Sequence, residues 1–243
     1  MSDTESRNPF TSRGFIFGAI IFGVLVLAAI LLAVTSLGGG GGQQSAPATT
    51  ATPPTASTAS PDAAAASICG LAGFESTSSL VTPPDAEWSI AGTVAVPSSE
   101  TAGPGVVDEG FRSCFAHTSQ GALFSAISFV AMSSDAQTAS RVSEMVAPGV
   151  GRDAAIANTD PNAPISSTRL QLAGYKVTAY TADEAVIDLA WTVTTSGGAL
   201  VSYPIALKWS EGDWKVQVAD NGQPRFSASP LDSLGGYIPW SGI

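Results

Sequence analysis

Residues 172–219 read LAGYKVTAYTADEAVIDLAWTVTTSGGALVSYPIALKWSEGDWKVQVA, and their apolar side chains recur at every second position rather than at helical spacing. The stretch divides into four strand-like runs, Leu172 to Tyr180, Ala185 to Thr195, Leu200 to Trp209 and Asp213 to Ala219. Between them stand Thr181-Ala182-Asp183-Glu184, Ser196-Gly197-Gly198-Ala199 and Ser210-Glu211-Gly212, rich in turn formers. Connections this short join antiparallel neighbours, so the expectation is a meander. Ile187, Leu189, Trp191, Tyr203, Ile205, Leu207, Trp209, Trp214 and Val216 gather on one face; Lys176, Asp188, Ser202, Lys208, Lys215 and Gln217 gather on the other. That alternation predicts a sheet covered on one side only. Pro204 has no amide hydrogen, which predicts a bulge in the third strand.

Upstream the period changes from two to 3.6. Thr118 can cap a helix in which Leu123, Ala126, Ile127 and Val130 fall at helical spacing, and Phe124 and Phe129 make it apolar on nearly every side. A helix of that kind is buried. Ser134 and Gln137 have the spacing of a capping box for a second helix through Ala147, with Ala139, Val142 and Met145 on one face and an Arg141–Glu144 pair outside. Pro148-Gly149 ends it, and Arg152 to Asn158 suits one further short turn of helix. A strand is expected near Trp88 to Val96. The fold class is therefore α+β: helices packed on a curved antiparallel sheet of four or more strands.

The amino-terminal quarter has a different character. Gly14 to Leu37 contains no charged residue and as a helix would reach about 36 Å, against a hydrocarbon core of about 30 Å. It reads as an uncleaved single transmembrane helix, since a signal peptide has a shorter apolar region and a small-residue cleavage site. Arg7 and Arg13 precede it and the next basic residue is Arg112, which keeps the amino terminus cytoplasmic. Residues 1–13 are then a stub and 38–67 a Gly/Pro/Ala/Thr linker with Asp62 as its only charge. Residues 68–243 form the extracytoplasmic domain. The chain after the apolar run holds 18 acidic and 8 basic residues, so the whole net charge of −10 lies there. A surface of that sign disfavours direct contact with nucleic acid.

One histidine and two cysteines leave almost nothing for a metal, haem or cluster site, and no cofactor or metal is expected. Cys69 and Cys114 fall in the exported part, where oxidation is permitted; a disulfide and two buried free thiols are the alternatives. A Ser-His-Asp arrangement would have to recruit His117 with Ser113 or Ser119 and Asp108, but no Gly-x-Ser-x-Gly elbow is present. No catalytic residue is assigned. Trp191, Tyr203, Trp209 and Trp214 could line a small-ligand pocket inside a curved sheet, with core packing as the alternative. Tyr237 and Trp240 in the tail are expected to dock on the domain.

Helices followed by a curved meander, with Gly-Asp-Trp-Lys-Val at 212–216 opening the last strand, resemble the nuclear-transport-factor-2-like cone fold. The stub, single anchor and tether, together with FAHTSQGALFSAISFVA at 115–131 and YIPW at 237–240, resemble exported proteins of actinobacterial integrative and conjugative elements. Those are similar in architecture to the VirB-type and TcpC-type scaffold subunits of conjugative type IV secretion machines. The resemblance implies a non-catalytic, membrane-anchored assembly protein whose partners are the lipid bilayer, other membrane or envelope proteins and further copies of itself. A small-ligand-binding domain of a surface receptor is the second expectation, and a cell-wall hydrolase using His117 the third.

Overall fold

The computed structural model describes residues 66–159 and 168–242, which belong to one compact unit running from Ser57 to Ile243. The expected stub and transmembrane helix, and the linker up to residue 65, lie outside the described residues. Among the described residues no helix is long and apolar enough to cross a membrane.

The architecture is α+β. Two small hairpins come first: β1 (Glu87–Ala91) with β2 (Val94–Ser98), and β3 (Val106–Asp108) with β4 (Phe111–Ser113). The run expected as one strand from Trp88 to Val96 is thus folded on itself. Its alternation continues through the loop, but Gly92 adopts φ +58°, a conformation open to glycine, and Gly92-Thr93 closes a two-residue turn. The second hairpin turns at Glu109-Gly110, both at positive φ, the signature of a type I′ turn.

Helix α1 (Ser119–Ser133) follows, capped by the Thr118 side chain, which accepts from the Gly121 N–H. It is buried nearly all round, as its composition requires. Leu123, Phe124 and Ile127 are fully enclosed, each contributing about 1.5–3 kcal/mol of burial. Its serines do not break the apolar environment, because each finds an acceptor or donor: Ser125 Oγ donates to Trp214 O at 2.9 Å, and Ser128 Oγ accepts from Arg112 Nε at 3.3 Å.

The expected second helix is a 3-10 helix, Ala139–Met145, and the capping box does not form. Ser134 instead ends α1, its hydroxyl donating to Ala131 O, while Asp135 takes the Gln137 N–H in a local turn. Ala139, Val142 and Met145 are three apart, which suits the three-residue turn of a 3-10 helix as well as an α-helix. Helix α2 (Val150–Ala157), with Gly149 at its cap, starts two residues before the expected position.

The meander is β5 (Leu170–Tyr180), β6 (Glu184–Val193), β7 (Ala199–Ser210) and β8 (Asp213–Val216), all antiparallel. Pro204 causes no bulge: it pairs with Asp188 in unshifted register, in the part of β7 between its pairings with β8 and β9. The irregularities fall in β5, around Ala173 and Thr178. The first places both Leu172 and Tyr175 in the core, although they differ in parity. β9 (Ser229–Leu231) pairs with β7, and β10 (Ile238–Pro239) with β5, giving an open six-stranded sheet.

Part of the outer face is covered as well. Asp188, Ala190, Ser202 and Ala206 are all buried, because the tail travels from one side of the meander to the other between β9 and β10. Tyr237 lies over the outer face, while Trp240 reaches the core against Trp88, Phe124 and Tyr175.

Cys69 and Cys114 are joined in a disulfide across 45 positions. Gly105 passes so close that a Cβ there would stand 2.3 Å from Cys69 Sγ. Replacing both cysteines by serine is expected to lower the urea-unfolding free energy by about 2–4 kcal/mol, the loop-closure entropy returned to the unfolded chain. An unchanged denaturation midpoint would show the bridge to be energetically idle.

Candidate functional site

The chemistry-bearing side chains concentrate where the start of α1 meets the β5–β6 and β7–β8 turns. His117 precedes the cap of α1 and is 2% exposed. Its ring stacks on Trp209 at 3.8 Å and 5°, with Phe74 and Trp214 edge-on at 5.1 and 5.7 Å. Nε2 lies 2.5 Å from the Ala182 carbonyl, which fixes the proton on Nε2, and Nδ1 has no partner among the described residues. Ser119 and Asp108, two of the side chains considered for a triad, are engaged elsewhere. Ser119 Oγ donates to Glu75 Oε2 at 2.6 Å, Asp108 pairs with Arg141 at 3.0 Å, and Ser113 lies in β4 opposite Val106.

Glu75 was not singled out by sequence reasoning and has an evident task. Its carboxylate accepts the Ser119 N–H at 2.8 Å and hydroxyls from Ser119 and Ser79, at the positive end of α1. Burial pushes its pKa upward, but the bonds from Ser119 and Ser79 outweigh that and hold it below the ordinary value.

Asp213 is the second unforeseen carboxylate. It is 4% exposed; Oδ1 accepts from the Phe115 and Trp214 N–H groups at 2.8 and 2.9 Å, and Oδ2 from Cys114 N–H at 3.0 Å. Burial raises its pKa, opposed by Lys215, 3.6 Å away, and by the three amides. The signal was present in the quoted Gly-Asp-Trp-Lys-Val run, but nothing local says that its acid faces a turn 99 positions earlier.

The four aromatics considered as pocket lining sit in the packed interior. Trp191 and Trp214 are fully enclosed, Tyr203 and Trp209 partly so. Trp214 Nε1 donates to Ala116 O at 3.0 Å; Trp191 Nε1 has no partner among the described residues. None of the four lines either of two surface clefts formed by the described residues. One, about 500 Å³, is bordered by Glu109, Gln137 and Arg141. The other, about 360 Å³, lies on the outer face and is bordered by Glu184, Val186, Ala206, Gln217, Arg225 and Phe226.

Also on the outer face, Asp188 accepts hydroxyls from Ser202 and Tyr237, each at 2.6 Å, with Lys176 at 3.8 Å and its ammonium over the Tyr237 ring. Burial, then the Asp188 carboxylate, raises the Tyr237 pKa. This group fastens the tail. Among the described residues no cluster of three or more His, Cys, Asp or Glu side chains could hold a metal ion.

The profile of the family described as "Domain of unknown function (DUF8175)" matches residues 48–239, and the chain belongs to that family. No curated protein and no solved structure matches it.

Two outcomes are expected. Asp213→Ala leaves three buried amides without their acceptor and should cost about 2–5 kcal/mol of stability in urea unfolding; a loss below about 0.5 kcal/mol would contradict the assigned role. Because Glu75 is more acidic folded than unfolded, its contribution is present above the usual carboxylate pKa and lost as pH falls through the lower, folded value. The Glu75→Gln variant should therefore lose less stability than the parent between about pH 5 and pH 3.

Proposed function

We propose that this DUF8175 member is a membrane-anchored, non-catalytic assembly protein whose folded domain stands outside the cytoplasmic membrane. The reading is carried by the Cys69–Cys114 disulfide in a chain whose residues 14–37 bear no charge. Disulfides persist in oxidising, exported compartments, and an uncharged segment of that length is long enough to span a bilayer. The basic residues before that segment place the amino terminus in the cytoplasm.

The finer parts of the reading rest on resemblance. We take α1 on the bulged meander as an open relative of the nuclear-transport-factor-2-like cone, and place the partners in a conjugative, type IV secretion-like transfer apparatus. A scaffold works through surface contact, which agrees with side chains spent on internal bonds: Glu75 on α1, Asp213 on the disulfide turn and Asp188 on the tail. The rival small-ligand receptor would require Trp191, Tyr203, Trp209 and Trp214 to surround a cavity, whereas they pack against core neighbours.

The test combines two measurements on the full chain in its native membrane. Protease added to intact cells stripped to the cytoplasmic membrane should digest the domain, and chemical crosslinking should join it to envelope or transfer-system proteins in fixed ratio. Protection of the domain until the membrane is broken, or recovery of the chain with no such partner, would overturn the proposal.

A further inference from the structure

Four of the eight basic residues that follow the apolar run, Arg141, Arg152, Lys176 and Lys215, have a carboxylate partner. Arg225 does not: among the described residues no carboxylate oxygen lies within 4.0 Å of its guanidinium. Arg112, Arg169 and Lys208 share that property, but only Arg225 among the four borders a cleft. Arg225 is held by a neutral group, since Nη1 donates to Gln217 Oε1. Gln217 is oriented in turn by its own amide, which donates to Glu184 Oε1 at 3.1 Å and Leu207 O at 3.4 Å. The guanidinium is therefore positioned, and among the described residues it meets no carboxylate and most of its five donors have no acceptor.

It borders the outer-face cleft of about 360 Å³, which also contains Val186, Ala206 and Phe226, with the Glu184 carboxylate on the far side of Gln217 and taken up by its amide. Val186 and Ala206 are directly opposed across β6 and β7, and Phe226 remains 41% exposed. Free guanidinium donors beside a small apolar surface suit a carboxylate attached to an apolar side chain. We propose that this cleft captures the carboxyl terminus of a partner polypeptide ending in a small apolar residue. Arg225 receives the carboxylate, and Val186, Ala206 and Phe226 receive the side chain. A chain end suits the site better than a free metabolite, because an exposed cleft cannot enclose most of a small molecule's surface, whereas a peptide carries its remaining residues outside. The inference names a contact for the assembly role above and rests on that reading.

The experiment uses the full-length chain in mild detergent and fluorescein-labelled Gly-Ser-Gly-Ala-Val, as free acid and as carboxyl amide, followed by fluorescence polarisation. The acid should bind at least about tenfold more tightly than the amide. Arg225→Gln should remove that preference with the thermal midpoint unchanged, Arg225→Lys should retain part of it, and Phe226→Ser should weaken the acid alone. Equal binding of acid and amide, an undiminished preference in Arg225→Gln, or no binding up to about 1 mM would overturn the proposal. So would N-acetylvaline competing as well as the whole peptide, which would assign the cleft to a free acid. Crosslinks to envelope proteins that persist in Arg225→Gln would remove this contact and leave the assembly role standing.

Discussion

The Asp213 carboxylate accepts hydrogen bonds from three backbone amides, those of Cys114, Phe115 and Trp214, in a position almost closed to water. Cys114 adopts φ +64°, a conformation unfavourable for a residue with a side chain. It is held there by the disulfide on one side and by this carboxylate on the other. The same short run that supplies Asp213 supplies Trp214, whose indole donates to Ala116 O and whose carbonyl accepts from Ser125 in α1. Disulfide turn, buried helix and last meander strand are thereby joined at one place. Desolvation disfavours the charge there, and the three donors and Lys215 compensate.

The tail supplies the second constraint. By pairing with β7 through β9 and with β5 through β10, it adds a strand to each side of the meander and limits the exposed edge available to other chains. β8 is shielded too, since Ala147 N–H donates to Val216 O. Tyr237 on Asp188 anchors the crossing from the outer face and Trp240 from the core. In the proposed assembly role, partners would be met through side chains and clefts rather than by strand addition, which gives a neutral-held arginine such as Arg225 its interest.

Much of the fold was legible because period and punctuation are local. The meander, the Thr118 cap and the all-round burial of α1 each follow from residues a few positions apart. Three readings failed for local reasons. Alternation through Gly92 disguised a hairpin, the spacing of Ala139, Val142 and Met145 fits two helix types, and a proline in β7 was placed where its missing amide hydrogen disturbs no register. The candidate site was less legible. Glu75, Asp213, Asp188 and Arg225 are unremarkable in sequence, and each acquires its meaning from a partner brought up by folding.

Taken alone, the sequence determined the order of elements, the uncharged apolar run at 14–37, the acidic balance after it and the scarcity of metal-ligating side chains. Those properties depend on composition and on spacings within a turn or a strand. Tertiary structure decided that the sheet stays open, that part of its outer face is covered, that Cys69 meets Cys114, and that Arg225 meets no carboxylate among the described residues. Such outcomes depend on distances between residues tens of positions apart, which no periodicity encodes and which only the packing of the whole domain sets.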